Sequence, residues 1–442
     1  MKSLIRLRAL FIVVVKVPAF LLLLFSLAQA QQPAWRLAAG TQSLGIVEID
    51  VFRRNPDTVY ANSLLGLLLS TDRGEHWDSV NTTTAPGLGA LKVDPFNSQI
   101  VWAWRAIPFG DGLGVTTDGG HTWRGVLESR IAATVVEIDP IDPRTVYAGS
   151  GSRFIRRTTD LGQTWELLTT PPGNIRSSFA IAPTNNNIFY IGYSDPRAVF
   201  KSTDRGASWI PLPLGVSAGS GVKLAVDPYN ADLVYAALYG YGVYKSSDGG
   251  ATWHEINNGL TRDDWAGVAI AINPKNPKEI FLGTSSVYRR MFFRTTNGGN
   301  RWESFADGLP VSGSVGSIAI DTLNNRLLSA VGSFNGSGVY ILDRTTAINN
   351  PPETPDIFSL YPNYPNPFNS QTVIQFSLAS RATVELKVYS LLGREVKTLL
   401  SEVRDKGTHT AVFSAENLPS GVYFYRLKTP TFSQTQRMVL IK

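Results

Sequence analysis

The chain has 442 residues, of which 43% are hydrophobic and 17% charged, and its 41 basic and 35 acidic side chains give a formal net charge of +6. This length exceeds one ordinary domain and allows a large core without covalent cross-links. The absence of cysteine excludes disulfides, thiolate catalysis and cysteine-ligated zinc. Two of the four histidines, His76 and His121, lie in repeated turns, which leaves no metal-ligand cluster, and we predict neither metal nor cofactor.

Residues 1–30 have the pattern of a secretory signal peptide. They begin with basic residues, continue with an apolar run that ends at Phe25, and close with Ala28-Gln29-Ala30, a small-x-small cleavage site. A retained membrane anchor is the alternative, but Lys16 and Pro18 interrupt the apolar run. Cleavage removes four basic and no acidic residues. The mature chain then has 37 basic and 35 acidic residues, and its formal net charge is about +2. The mature chain is then expected to have no membrane span, and a nucleic-acid partner loses its electrostatic support.

A short pattern recurs along most of the chain: a hydroxyl residue, Asp, any residue, Gly, two variable residues and Trp. Its Trp residues are 46, 42, 44, 44 and 49 positions apart by subtraction. Such spacing is typical of one propeller blade or one solenoid turn per copy. The Asp and Trp positions are Asp72 and Trp77, Asp118 and Trp123, Asp160 and Trp165, Asp204 and Trp209, Asp248 and Trp253, and Asn297 and Trp302, the last copy having Asn for Asp.

Each copy predicts a strand, a tight turn and a second strand. Apolar residues such as Val243-Tyr244 precede the turn, and Gly stands where a hairpin needs positive φ. A short Asp side chain accepts hydrogen bonds from the backbone of its own turn, and the amide oxygen of Asn297 can do the same. The Trp ring covers the hairpin. We therefore interpret the repeated Asp and Trp residues as structural.

Two more strands, joined by an Asp-Pro-like loop, precede each turn. Residues 47–50 with 58–60 and residues 136–140 with 145–147 are examples, aligned so that Asp50 matches Asp139. Four short strands per copy indicate a propeller blade. The pattern therefore predicts an all-β fold.

The last repeat, which begins at Ser317, lacks a fourth strand. Trp35 stands 42 positions before Trp77, within the range of the repeat spacing. Its strand is expected to pair with Val339 and Tyr340, which would remove both sheet edges. We predict a seven-bladed β-propeller closed by the N-terminal strand, with six or eight blades as alternatives.

The repeated turn resembles the Asp-box of sialidase-type propellers, which is also found in sortilin-like receptors, some glucan hydrolases and photosystem II assembly factors. The resemblance implies the propeller fold. Because the family includes enzymes and non-enzymes, it does not by itself imply a chemistry.

After the repeats, the composition changes to a Pro-rich spacer and then to a second set of strands. Alternation such as Val384, Leu386 and Val388 with Glu385 and Lys387 predicts a small β-sandwich. We assign residues 1–30 to the signal peptide, 33–346 to the propeller, 347–360 to the linker and 361–442 to the sandwich.

The tail resembles the C-terminal sorting domain of the type IX secretion system of Bacteroidetes-like bacteria. The matching segments are 364–369, 388–396, 418–423 and the terminal residues 438–442. The resemblance implies that the secretion machinery is a partner. It also implies passage across the outer membrane of a Gram-negative cell, followed by release or surface attachment. An ordinary accessory sandwich is the alternative.

Ligand contacts are expected on the loops opposite the repeated turns, because loops on a rigid scaffold usually carry function. Basic side chains there could hold a carboxylate or sulfate, and aromatic side chains could stack on sugar or peptide. The alternative is that they are solvated charges and packing aromatics. The candidate residues are Arg105, Arg153, Arg197, Tyr239, Tyr241, Arg262, Asp263 and Arg289.

The sequence gives two enzymatic interpretations little support. A sialidase needs an arginine triad, and the nearest match to the family's Arg-Ile-Pro is Arg105-Ala106-Ile107-Pro108, with one inserted residue. A two-propeller glucan hydrolase needs opposed carboxylates, for which Asp111 and Asp263 or Asp264 are the candidates.

Our prediction is therefore a secreted, non-enzymatic protein that binds a glycan, peptide or protein partner through its loop face. The alternatives are an exo-acting, sialidase-like glycoside hydrolase and a structural spacer in a surface assembly.

Overall fold

The computed structural model describes residues 33–344 and 358–441, with gaps at 82–88, 108–109, 129–132, 151–153, 172–177, 195–196, 217–220, 287–290, 334–335, 362, 364–365, 367 and 416–417. The predicted signal peptide and most of the predicted linker lie outside these residues. The all-β prediction is confirmed. The helical structure in the described residues is a single 3-10 turn at Arg262–Asp264.

The first 28 strands form units 1 to 7, each of four strands. Strand β1 is Arg36–Leu37. Unit 1 comprises β2 Ile46–Val51, β3 Val59–Ser63, β4 Gly66–Ser70 and β5 Asp78–Asn81. Unit 2 comprises β6 Leu91–Val93, β7 Val101–Ile107, β8 Gly110–Thr116 and β9 Arg124–Glu128. Unit 3 comprises β10 Ala133–Ile138, β11 Val146–Ser150, β12 Phe154–Thr158 and β13 Glu166–Leu168. Units 4 and 5 comprise β14 Ser178–Ile181, β15 Phe189–Ser194, β16 Arg197–Ser202 and β17 Ile210–Leu212; and β18 Val222–Val226, β19 Val234–Leu238, β20 Gly242–Ser246 and β21 His254–Glu255. Unit 6 comprises β22 Gly267–Ile272, β23 Ile280–Ser286, β24 Phe292–Thr295 and β25 Glu303–Ser304, and unit 7 comprises β26 Gly313–Asp321, β27 Arg326–Gly332, β28 Gly338–Asp343 and the early strand β1.

Within each unit, neighbouring strands pair antiparallel in chain order. In unit 7 the outer place is taken by β1, whose Arg36 pairs with Ile341 and Leu37 with Tyr340 of β28. The first strand of each unit contacts the first strands of the units beside it, and β26 contacts β2. We call the space that these seven first strands surround the inner channel.

The second strands form the centre of the core. All five residues of β3 and of β19 are buried, and both strands begin with Val-Tyr-Ala. Such near-continuous burial is expected when both faces of a strand are covered. The first strands instead alternate: in β18, Val222 and Leu224 are buried, while Lys223 and Ala225 retain contact with the inner channel.

The repeated turn is held by a hydroxyl that the sequence interpretation overlooked. In unit 5, Ser246 Oγ donates to Asp248 Oδ1 (2.7 Å) and accepts from the backbone N–H of Gly250 (2.7 Å). Asp248 also accepts from Thr252 N (2.9 Å) and Thr252 Oγ1. Equivalent hydroxyls, two residues before the Asp or Asn, bond in the same way at Ser70, Thr116, Thr158, Ser202 and Thr295.

We expect Ser246→Ala to lower the free energy of unfolding by about 1 to 2 kcal/mol, because it leaves the buried N–H of Gly250 without its acceptor. Ser247→Ala is the matched control, since Ser247 is exposed and adjacent. Urea unfolding measures both values. Equal losses from the two variants would contradict this role of Ser246.

The C-terminal region consists of two packed sheets. One contains β29 Ser359–Leu360, β30 Gln371–Leu378 and β33 Gly407–Ser414, and the other contains β31 Ala382–Ser390, β32 Glu395–Arg404, β34 Gly421–Lys428 and β35 Ser433–Leu440. Their inward side chains form one core. Val384, Leu386 and Val388 from the second sheet pack with Ile374 and Phe376 from the first, all fully buried. This is the alternation that the sequence predicts for this segment.

Candidate functional site

A cluster of ionisable side chains faces the inner channel. Its members come from units 1, 2, 3 and 5, and they are Glu48, Asp50, Lys92, Glu137 and Lys223. Lys92 Nζ lies 3.3 Å from Glu137 Oε1, and the two side chains retain 29% and 28% exposure. They are thus surrounded by protein and still open to the channel. At the strand position of Asp50, Lys92 and Glu137, units 4 to 7 have alanines instead. These are Ala180, Ala225, Ala271 and Ala319.

Strand register places these side chains at two levels. The pairs Val51 with Val59 and Ile138 with Val146 put Asp50 at the level of Glu137. The sequence alignment, which matched Asp50 with Asp139, is therefore wrong by two residues. Because side chains alternate along a strand, Glu48 lies one level nearer the start of β2.

The carboxylates of unit 1 also bond to the backbone of unit 2. Glu48 Oε2 accepts from the N–H of Leu91 (2.9 Å), and Asp50 Oδ2 accepts from the N–H of Val93 (2.8 Å). These donors lie on the edge of β6 that faces away from its own sheet partner. The bonds therefore satisfy an exposed strand edge and hold both carboxylates in fixed positions.

Burial dominates the electrostatics of the cluster. Burial raises the pKa of Glu48 to about 7, although the positive charges of Lys92 and Lys223 act in the opposite direction. Burial also raises the pKa of Glu137 and lowers the pKa of Lys223. For Lys92, the nearby carboxylates Glu137, Asp50 and Glu48 outweigh burial and raise its pKa. Glu48 is thus a carboxyl group able to hold a proton near neutral pH.

These shifts predict a stability maximum in mildly acidic solution. The raised pKa of Glu48 means that the folded state holds the proton more tightly, so stability is lost as the pH rises from about 4.5 through about 7. Below pH 4 the turns lose stability instead, because the hydrogen bonds from Thr164 and Ser208 keep the pKa of Asp160 and Asp204 at about 2.

We expect Glu48→Gln to remove the loss of stability above pH 5. At pH 8 the free energy of unfolding of this variant should exceed that of the parent protein by on the order of 2 kcal/mol. Denaturant unfolding at pH 4.5, 6 and 8 measures this. The exposed Glu255 on β21 provides the control Glu255→Gln. An E48Q profile parallel to that of the parent would contradict the raised pKa.

The predicted loop-face residues fall into two groups. Arg153 and Arg289 lie outside the described residues, and the side chains of Arg105 in β7 and Arg197 in β16 are also outside them. The remaining candidates lie on two segments that a backbone bridge between Tyr239 and Ala266 joins, namely the 239–241 turn of unit 5 and the loop that leads into unit 6. These candidates are Tyr239, Tyr241, Arg262 and Asp263.

Of the carboxylates proposed for a glucan hydrolase, the structure describes the side chains of Asp263 and Asp264. Asp264 is buried and accepts from Thr261 N (2.8 Å) and Thr261 Oγ1 (2.7 Å), so it closes the 3-10 turn. Asp263 is exposed, and the side chain of Asp111 lies outside the described residues. The cluster in the inner channel was not among the sequence candidates. Its signal was the presence of one or two charged residues in each of four otherwise mostly apolar first strands.

Among the described residues, no group of three or more Asp, Glu or His side chains is placed to hold a metal ion. No helix in the same part of the chain is long and apolar enough to cross a membrane.

Residues 363–442 match the family model described as a secretion system C-terminal sorting domain. The prediction of a type IX sorting tail is therefore confirmed. The tail identifies the chain as a secreted or cell-surface protein of a Bacteroidetes-type bacterium.

Curated relatives of the chain are xyloglucanases. A xyloglucanase from a Paenibacillus species is 27% identical over an alignment of 192 residues, and the match covers 31% of this chain and 19% of the relative. Xyloglucanase Xgh74A of Acetivibrio thermocellus is 27% identical over an alignment of 254 residues, and the match covers 45% of this chain and 30% of the relative. The chain thus spans less than a third of the length of these relatives.

Solved structures share the fold at low sequence identity. The GH74 enzyme of Niastella koreensis has a TM-score of 0.56 and 17% identity, covering 93% of this chain and 75% of that one. YCF48 from Cyanidioschyzon merolae has a TM-score of 0.53 and 14% identity, covering 70% of this chain and 98% of that one. Together with the four-stranded units, these likenesses support a β-propeller.

The comparisons contradict our prediction of a non-enzymatic binding protein or spacer. The finding that overturns the prediction is that the curated relatives are named xyloglucanases. The hydrolase alternative was therefore the better interpretation, although the relatives are xyloglucanases and not sialidases. The error arose because the repeated turn occurs in both enzymes and binding proteins and says nothing about the chemistry.

Proposed function

We propose that this protein is a secreted glycoside hydrolase that acts on a branched β-glucan of the xyloglucan type. The observation that carries the proposal is the 27% identity to xyloglucanase Xgh74A over 254 residues. That match covers 45% of this chain, so it is not confined to one turn motif.

The proposed scaffold is a closed, seven-bladed propeller over residues 33–346, with residues 347–360 as the linker and 361–442 as the sorting domain. The pairing of β1 with β28 supports closure. The contact of β26 with β2 also supports it, as does the hydrogen bond from Ile49 N to Ser317 Oγ (3.4 Å). In this arrangement the repeated Asp and Trp residues are structural and lie at the end opposite the substrate.

Glycoside hydrolysis needs a carboxylic acid that protonates the leaving oxygen and a second carboxylate. Glu48 is the candidate for the first role, since burial raises its pKa to about 7 and the N–H of Leu91 fixes its position. Glu137 and Asp50 are the candidate partners in the inner channel. The candidate residues on the loop face, with Arg105, Arg153, Arg197 and Arg289 from other units, would contact the remainder of the glycan.

The test is release of reducing ends from xyloglucan by the purified full-length mature protein. We expect activity in the parent protein and a decrease in kcat of about 100-fold or more in Glu48→Gln, the usual effect of losing a general acid. Glu255→Gln should retain parental activity. A parent protein inactive on xyloglucan would overturn the proposed function. Full activity of E48Q would overturn only the assignment of Glu48.

A further inference from the structure

The turn between β19 and β20 exposes an aromatic ring at the end of unit 5 where β18 begins. Tyr239 is 42% exposed. Leu238, its neighbour, pairs with Val222 at the start of β18, and Ala237 pairs with Lys223 of the inner channel. The ring therefore lies at the same end of the unit as the outer level of the charged cluster, and opposite the repeated turn.

The surroundings of this ring are rigid. Tyr239 forms a bridge with Ala266, and the N–H of Gly240 donates to Trp265 O (2.6 Å). Asn257 fastens the other side of the turn, because its Nδ2 donates to Tyr241 O (3.1 Å) and its Oδ1 accepts from Val243 N (2.7 Å). Two backbone segments are thus joined into one surface that needs little further ordering when a ligand binds.

Gly242 makes this close packing feasible. Its φ is +80°, and a Cβ at this position would stand 2.2 Å from Asn257 Oδ1. Any larger residue would therefore push Asn257 out of the position in which it holds the turn.

Charged groups of both signs lie on the segment that the bridge between Tyr239 and Ala266 joins to this turn. Arg262 is exposed and its guanidinium lies 5.5 Å from the centre of the Trp265 ring, while the neighbouring Asp263 is also exposed. Asp264 fixes the 3-10 turn that carries them. One cation beside one anion leaves no net local charge, so this surface does not favour an acidic ligand. It offers instead a stacking face with donors and acceptors beside it, which is the combination that a neutral, hydroxylated ring requires.

We propose that Tyr239, Arg262 and Asp263 form a subsite for a neutral pyranose, with Tyr239 as the stacking platform and the two charged groups bonding to hydroxyls. This deepens the proposed function and rests on it: the subsite would position the glycan at the mouth of the inner channel. The three are positioning residues, since none is placed to touch the reacting bond.

Affinity electrophoresis of the full mature protein tests this subsite, using gels that contain xyloglucan, neutral hydroxyethylcellulose or acidic carboxymethylcellulose. We expect xyloglucan to retard the parent protein and the apparent affinity of Tyr239→Ala to fall about tenfold. Tyr239→Phe, which keeps the ring, should bind within about twofold of the parent.

Phe96→Ala is the matched control. Phe96 is an aromatic residue of nearly equal exposure, 43%, which lies under Arg54 in the turn that follows the first strand of unit 2, at the other end of the molecule. Its removal should leave retardation unchanged. Thermal unfolding of each variant verifies folding. The double variant Arg262→Ala with Asp263→Asn is a second test of the subsite, because it removes both charged groups and keeps the ring of Tyr239.

The outcomes separate the two proposals. If xyloglucan retards the parent and Y239A equally, the subsite is overturned while the hydrolase proposal stands. If hydroxyethylcellulose alone retards the parent, and Tyr239→Ala weakens that retardation, the subsite is supported and xyloglucan is refuted as the ligand. Preference for carboxymethylcellulose, or no retardation by any neutral glucan, overturns the subsite.

Discussion

Deletion of residues 353–442 should abolish appearance of the protein outside the cell and leave it in the periplasm. The physical reason is that the removed segment contains the sorting domain matched over residues 363–442, while the predicted signal peptide, residues 1–30, remains. Immunoblots of periplasmic and extracellular fractions measure the distribution. We expect the extracellular share to fall at least about tenfold.

A fusion of residues 353–442 to a periplasmic reporter gives the converse control, because the transplanted domain should export the reporter. Val384→Asp within the full chain is a further control, since it places a charge in the fully buried core of the sorting domain and should reproduce the deletion. Normal export of the truncated chain would refute the sorting role of this region.

Replacement of Trp35 by Ala should lower the free energy of unfolding by about 3 to 5 kcal/mol. The ring is 3% exposed and packs on Phe292 with 4.8 Å between ring centres. Its Nε1 donates to Phe305 O (2.8 Å), and its backbone N–H donates to Asp307 O (2.7 Å). Trp35 thus anchors β1, the strand that completes unit 7 from the opposite end of the repeated region.

Trp253→Ala is the control for this substitution. Trp253 is only half-buried, and its Nε1 has no acceptor among the described residues, so the loss should be smaller than that of Trp35→Ala. Denaturant unfolding at the pH of maximum stability compares the two variants. A larger loss for Trp253 than for Trp35 would show that β1 contributes little to holding the repeated region together.

The strands of the repeated units could be predicted because each has a local signal. Apolar runs bounded by Gly, Asp and Pro fix the strand positions, and the recurring Trp fixes the repeat length. The register of β2 was harder to predict. Residues 47–50 resemble residues 136–139 in sequence, but the pairing of Val51 with Val59 shifts Asp50 to the level of Glu137. A two-residue shift preserves the inward and outward pattern, so the hydrophobic period cannot detect it.

The hydroxyl of the repeated turn was misassigned for a related reason. Two hydroxyl residues stand side by side in most copies, for example Ser246 and Ser247, and spacing alone favours the one beside Asp248. Only the coordinates show that Ser246 faces Gly250 N–H while Ser247 points to solvent. Hydrogen-bond direction within a turn depends on backbone torsions that sequence does not specify.

The charged cluster was missed because its members are spread from residue 48 to residue 223 on four separate strands and meet only when the first strands lie side by side. Each member resembles an ordinary exposed charge when considered alone. By contrast, Tyr239, Tyr241, Arg262 and Asp263 could be singled out from sequence, because loop aromatics and charges near a blade end are visible locally. The chemistry could not be inferred from the turns, which stabilise blades in enzymes and binding proteins alike.

Hydrolysis of xyloglucan in water enriched in ¹⁸O tests the central claim most directly. The full mature protein is incubated with the polysaccharide, and the products are analysed by mass spectrometry beside an E48Q sample. The hydrolase proposal predicts oligosaccharides that carry one ¹⁸O atom at each new reducing end, and the assignment of Glu48 predicts that they form about 100-fold more slowly in the E48Q digest. Unchanged polymer, or fragments without the label, would contradict it.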